Sequence, residues 1–148
     1  MNTALRRLLG ASHAPAATIL IRLSVGLVFL SEGAQKFLFP LQLGAGRFAK
    51  IGLPAPEILA PIVGTMEILC GAAVAIGALT RIAAVPLIAV MCVAIASTKF
   101  PILIADGFWA MAHEARTDFA MLLGVTFLLL VGAGPLSIDA VLPRSRAR

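Results

Sequence analysis

The residues best suited to chemistry are ionisable side chains that lie within apolar stretches of the chain. Arg22 and Glu32 fall in the first such stretch, and Glu67 lies near the middle of the second. Three more lie near the ends of apolar stretches: Lys36, Lys99 and Asp118. A charged side chain at the centre of a bilayer costs about 2.5–3.5 kcal/mol, so such residues face the interior of a helix bundle and pair there. We therefore expect these side chains to meet.

Spacing predicts one shared site. Glu32 and Lys36 are four residues apart, on the same face of a helix. We expect a polar cavity that opens towards the outside, in which Glu67 and Glu32 handle protons. The ligand, an anion or a quinone-like molecule, would be bound by four residues: Lys36, Lys99, Arg22 and Asp118. A structural alternative stays open, in which the charges only fix the register of the helices and Arg22 extends to the membrane surface.

The remaining reactive side chains give weaker signals. Cys70 and Cys92 lie 11 residues before and after Arg81, so a tight hairpin there would bring both to the same depth. They are candidates for a redox or metal-binding pair, although buried cysteine more often acts as a small hydrophobic residue. His113 is expected in a solvated loop. Two histidines and two cysteines, without a CxxC motif, predict neither haem nor an iron–sulfur cluster.

The elements that position these residues are membrane helices. Hydrophobic residues make up 60% of the chain and charged residues 13%, against about 25% in soluble domains. The mean hydropathy is +1.01. The net charge of +5 does not indicate nucleic-acid binding, because the basic residues cluster at the termini and beside the apolar stretches. The composition predicts one multi-pass membrane domain surrounded by lipid.

Four spans are predicted: residues 16–39, 57–79, 82–100 and 117–133. Pro40 to Pro56 and the stretch from Ile102 to Arg116 are expected to be external loops, with a tight turn at Thr80–Arg81. Arg6, Arg7 and Arg22 near the first span favour a cytoplasmic N-terminus. The predicted fold is an all-α, four-helix membrane bundle over residues 1–148, with both termini in the cytoplasm.

Four segments in order resemble the DoxX-like family of membrane proteins: Arg22–Phe37, Phe48–Pro56, Gly64–Arg81 and Gly132–Leu142. The resemblance covers residues 20–142. It implies a four-helix protein of the bacterial inner membrane. It also implies that the family's recurrent polar residues correspond here to Arg22, Lys36, Glu67, Arg81 and Asp139. The name-giving relatives are similar to subunits of a thiosulfate:quinone oxidoreductase, and other members are tied to redox stress or to metal-responsive peptide systems.

Three functions follow as expectations. The first is a subunit in quinone- or thiol-linked redox chemistry, an oxidoreductase component with a quinone as its reaction partner and no covalently bound cofactor. The second is a non-enzymatic membrane anchor or assembly partner of a soluble enzyme. The third is a small-solute or proton carrier, against which four spans without an inverted repeat argue. A partner protein and a homo-oligomer are both expected, and nucleic acid is not.

Overall fold

The computed structural model describes residues 14–141. Within that range the secondary structure is helical, without strands. The helices are α1 (Thr18–Leu38), α2 (Ala45–Lys50), α3 (Pro56–Ile76), α4 (Thr80–Asp106), α5 (Phe108–Val131) and α6 (Ile138–Val141). Arg6, Arg7 and His13 lie outside the described residues, as do Arg144, Arg146 and Arg148. The all-α prediction is confirmed over the described part of the chain.

Three of the described helices, α1, α3 and α4, are long and apolar enough to cross a membrane. The 24 residues of α5 would extend about 36 Å, but the first half of this helix carries Glu114, Arg116 and Asp118. Its second half is apolar, from Phe119 to Val131. The prediction of a membrane protein is therefore supported by three spans, and the fourth span and the orientation of the termini stay predictions.

The prediction that residues 102–116 form an external loop is wrong. Helix α4 continues through Pro101 to Asp106, and α5 begins directly after Gly107, whose φ of 85° suits glycine. Proline is tolerated inside membrane helices because neighbouring groups satisfy the freed carbonyl, and Pro61 and Pro86 are likewise interior. His113 is therefore an exposed residue of a helix.

The two other predicted connections need smaller corrections. The stretch from Pro40 to Pro56 contains the short helix α2 between its turns. The tight turn lies at Gly77–Leu79 and not at Thr80–Arg81, because Gly77 and Leu79 both adopt positive φ and α4 has begun at Thr80. Helices α3 and α4 thus form an antiparallel hairpin.

The long helices pack as two pairs, α1 with α3 and α4 with α5, and the contact between the pairs is smaller. Glycines allow the first pair to approach closely: a methyl group at Gly33 would lie 2.6 Å from the Gly64 carbonyl oxygen, and one at Gly26 would lie 2.7 Å from that of Gly71. Small residues at such spacing are typical of membrane helix contacts. An apolar core, which includes Leu87 and Leu128, joins the pairs.

Candidate functional site

Each helix pair contains one internal ion pair. In the first pair, Lys36 on α1 and Glu67 on α3 are joined by an Nζ–Oε2 distance of 2.6 Å, and Lys36 Nζ also donates to the Glu32 carbonyl oxygen at 3.3 Å. In the second pair, Lys99 on α4 and Asp118 on α5 are joined by an Nζ–Oδ2 distance of 3.1 Å. The two ion pairs thus have the same arrangement. In each, the lysine lies on the first helix of the helix pair and the acidic residue lies on the second.

Both ion pairs line one cavity between the helix pairs. Its volume is about 580 Å³, within the range of about 300–1,000 Å³ typical of small-molecule sites. Glu32 lines it too, so five of the six predicted polar residues meet there: Glu32, Lys36, Glu67, Lys99 and Asp118. Most of the remaining wall is aliphatic, aromatic or methionine, including Phe29, Met66, Met91 and Met121. The cavity therefore suits a molecule with a polar head and an apolar body.

Glu67 is the most deeply placed charge in this cavity, with only 4% of its surface exposed. Its carboxylate depends on Lys36 for compensation, because a buried charge without a partner is strongly destabilising. Glu32 is exposed, and its carboxylate repels that of Glu67. Lys36 therefore pairs across helices with Glu67, and Glu32, on the same helix as Lys36, contributes its carbonyl oxygen.

Helix α2 provides a part of the site that was not predicted from the sequence. Arg47 and Phe48 of α2 line the cavity, together with Leu43 and Ile51 beside it. Phe48 is buried and Arg47 exposed. Among the ion pairs of residues 14–141, none involves Arg47. The sequence feature that could have predicted this helix is its amphipathic pattern. The apolar residues Phe48 and Ile51 are three residues apart, and each follows a basic residue, Arg47 or Lys50.

Arg22 is not among the residues that line the cavity. It is buried, with 2% of its surface exposed. Its guanidinium donates to the Ala133 carbonyl oxygen at 2.8 Å and to the Ala75 carbonyl oxygen at 3.3 Å. These carbonyls belong to residues near the C-terminal ends of α5 and α3, at the end of the bundle that carries α6. We call this the α6 end and the opposite one the α2 end.

Asp139 also binds backbone groups at the α6 end, where Arg22 lies. Its carboxylate accepts from the Leu79 N–H at 2.7 Å and the Thr80 N–H at 3.0 Å, and its own N–H donates to the Gly77 carbonyl oxygen. It therefore caps the first turn of α4, where backbone N–H groups have no partner within the helix. Arg81 donates to the Leu130 and Val131 carbonyl oxygens. The charges of this end bind backbone groups.

The two cysteines have different surroundings. Both thiols are free; Cys70 is half-buried and packs against the apolar core, whereas Cys92 lies on the exposed surface. Neither residue is among those that line the cavity. The cavity is therefore built without thiols, and the redox or metal pairing of Cys70 with Cys92 stays a prediction.

Comparison with known proteins gives two matches. A family model described as DoxX matches residues 17–100. The uncharacterized membrane protein Rv3486 of Mycobacterium tuberculosis is 54% identical over 139 residues, which cover 90% of this chain and 85% of that protein. No solved structure matches. The resemblance predicted from the four sequence segments is thereby confirmed.

Proposed function

Because the chain belongs to the DoxX family of membrane proteins, we propose that it binds a quinone in the cavity at its α2 end. There it would take part in quinone-linked redox chemistry as one subunit of a complex in the bacterial inner membrane. The observation that carries the proposal is the meeting of two lysine–acid pairs in a largely apolar cavity of about 580 Å³. A quinone needs both parts, hydrogen-bond donors for its two carbonyl oxygens and apolar walls for its ring and tail.

The residues present fit such a molecule. The ammonium groups of Lys36 and Lys99 can each donate to a carbonyl oxygen without leaving their carboxylate partners, because an ammonium has three donors. Phe29 and the methionines of the wall supply polarisable contacts for the planar ring of a quinone. Arg47 lines the cavity from α2, so it can contact the polar head of a bound molecule.

Glu67, in its ion pair with Lys36, is proposed to handle protons. Reduction of a quinone to its quinol takes two electrons and two protons; the Lys36 ammonium can give a proton to a quinone oxygen, and the Glu67 carboxylate can take up a proton and return it to the lysine. Glu32 is exposed and lines the same cavity, so it can pass protons from outside the cavity. The electrons would come from a sulfur compound, such as two thiosulfate ions that lose two electrons as they join through an S–S bond. A partner subunit would bind that donor.

The test is quinone reduction by protein in proteoliposomes, with thiosulfate, sulfide or a dithiol as donor. We expect the wild type, purified with any partner that accompanies it, to reduce a short-tailed ubiquinone. Glu67→Gln should lose about 10²–10⁴-fold in rate, the range typical of general acid–base catalysis. Glu57→Gln is the matched control, because Glu57 is exposed, lies on the same helix and does not line the cavity.

Two results would favour a different function for the protein. If the wild type reduces no quinone with any donor and Glu67→Gln fails to fold, the ion pairs lock the bundle, and the anchor or assembly function is favoured. If proton flux across the liposome depends on Glu67 without quinone, the carrier function is favoured. Retained quinone reduction in Glu67→Gln would remove Glu67 from the proton path.

A further inference from the structure

The part of the cavity that is lined by α3 and α4 has apolar walls, and we call it the slot. The α3 wall consists of Leu59, Ile62, Val63 and Met66. Their spacing is i, i+3, i+4 and i+7, so they form one face of the helix. Ile62 lines the cavity and is nevertheless 51% exposed. The α3 side chains therefore form one wall of the slot and leave the space beside them open.

The α4 wall shows the same pattern with smaller side chains. Pro86, Ala89, Val90, Val93 and Ala94 line the cavity at spacings of three, one, three and one residues. The face that packs into the core presents Ala83, Ala84 and Leu87, and Met91 lies where the two faces meet. Helix α4 thus has two apolar faces, and only one of them is covered by protein in the described part of the chain.

The slot lies in the membrane-spanning part of the hairpin. Both of its walls belong to helices with the length and composition of membrane spans. From Pro86 to Ser97 the α4 wall extends about 16 Å at 1.5 Å per residue. Its sides carry no charge, and the ion pairs of the cavity lie next to it. A long apolar slot that joins a charged cavity matches a ligand with one polar head and one hydrocarbon chain.

We propose that the ligand enters the cavity from the lipid, between α3 and α4, and that its hydrocarbon or isoprenoid tail stays in this slot. The ligand is then a lipid-tailed molecule and not a water-soluble one. The inference rests on the proposed function for the identity of the head group. It adds the class of the substrate and the route by which it arrives.

The structure offers matched variants for a test. Val93→Trp fills the slot from α4. Val85→Trp is the control, because Val85 lies on the same helix, is 55% exposed against 51% for Val93, and does not line the cavity. Ile62→Trp and Ile58→Trp make the same comparison on α3, where Ile58 is exposed outside the cavity. Thermal unfolding of all four variants establishes that they fold.

The experiment measures binding of two radiolabelled ubiquinones to protein in nanodiscs, one with a single isoprene unit and one with a long tail. We expect the wild type to bind both. Val93→Trp and Ile62→Trp should weaken binding of the long-tailed quinone by about tenfold or more and leave the short-tailed quinone within about twofold. The controls should change neither. Equal loss of both quinones, or unchanged binding of the long-tailed one, would overturn the inference. So would a change in oligomeric state by Val93→Trp, since a second copy would then fill the slot.

A second arm separates this inference from the proposed function. If the wild type binds neither quinone, the proposed head group is wrong, and the slot is tested with phosphatidylcholine that carries a photoactivatable diazirine in one acyl chain. Labelling of the half-buried Met66 or Val90 that Val93→Trp abolishes and Val85→Trp preserves would support a hydrocarbon-chain slot for another lipid. Labelling confined to exterior positions such as Val85 would overturn it.

Discussion

The two ends of the bundle use their charges in different ways. At the α6 end, Arg22, Arg81 and Asp139 bind backbone carbonyls and N–H groups, and they join the ends of α3, α4 and α5. At the α2 end, Lys36 and Lys99 pair with carboxylates, and both pairs line a cavity of about 580 Å³. A charge that satisfies backbone groups completes the fold, whereas a charge pair beside an open volume remains accessible to a ligand.

The largest effect is expected from Arg22→Leu. The substitution leaves the buried carbonyl oxygen of Ala133 and the partly buried carbonyl oxygen of Ala75 without this donor. Each such loss costs about 1–3 kcal/mol, so the free energy of unfolding should fall by roughly 2–6 kcal/mol. Unfolding in mixed micelles measures it. Quinone binding by the folded fraction should persist; a stable variant that has lost binding would instead place Arg22 in the site.

Lys36→Met should be nearly as severe, because it leaves Glu67 buried and without a cation. We expect a loss of roughly 2–4 kcal/mol, with protonation of the carboxylate limiting the cost. The double variant Lys36→Met/Glu67→Gln removes both charges and should regain most of that stability. A double variant as unstable as Lys36→Met would show that the two side chains do not act as a pair.

Asp139→Ala should have a moderate effect. The carboxylate caps two N–H groups at the start of α4, and loss of such a cap typically costs about 0.5–2 kcal/mol. The thermal midpoint should fall while ligand binding stays unchanged. Loss of binding at unchanged stability would contradict the structural assignment of the α6 end.

Lys99→Met should have the smallest effect on stability. The side chain of Asp118 keeps 25% of its surface accessible, so the carboxylate can be solvated when its partner is removed. The loss should therefore be smaller than that of Lys36→Met, which leaves a carboxylate with only 5% of its side chain accessible. Binding of quinone should weaken nevertheless, because Lys99 lines the cavity. A stability loss larger than that of Lys36→Met would reverse the proposed order of the two pairs.

The sequence predicted the meeting of the polar residues best where the energy cost of a charge in lipid limits its position. Charges inside apolar stretches had to face inward, and this rule alone predicted that Glu32, Lys36, Glu67, Lys99 and Asp118 meet. It did not separate Arg22 from them, because the rule does not say whether a buried charge binds a side chain or a backbone carbonyl. The two partners of Arg22, Ala133 and Ala75, lie 111 and 53 residues away in the chain, beyond what spacing within a helix can predict.

Helix ends were the weakest part of the prediction. Pro101 and the polar residues after it suggested a loop, yet α4 and α5 are both continuous except at Gly107. Proline and charge lower helix propensity locally, but tertiary packing overrides that preference. Helix α2 was missed because its six residues are too few for a clear periodicity. Its role as a wall of the cavity depends on contacts that only the folded bundle provides.

Binding of the short-tailed ubiquinone to two nanodisc-reconstituted variants distinguishes the roles of the two ends. Lys36→Met/Glu67→Gln should fold and lose at least about tenfold in affinity, whereas Asp139→Ala should be less stable and bind with wild-type affinity. Unchanged binding by the double variant, or a loss confined to Asp139→Ala, would contradict the assignment of ligand binding to the α2 end.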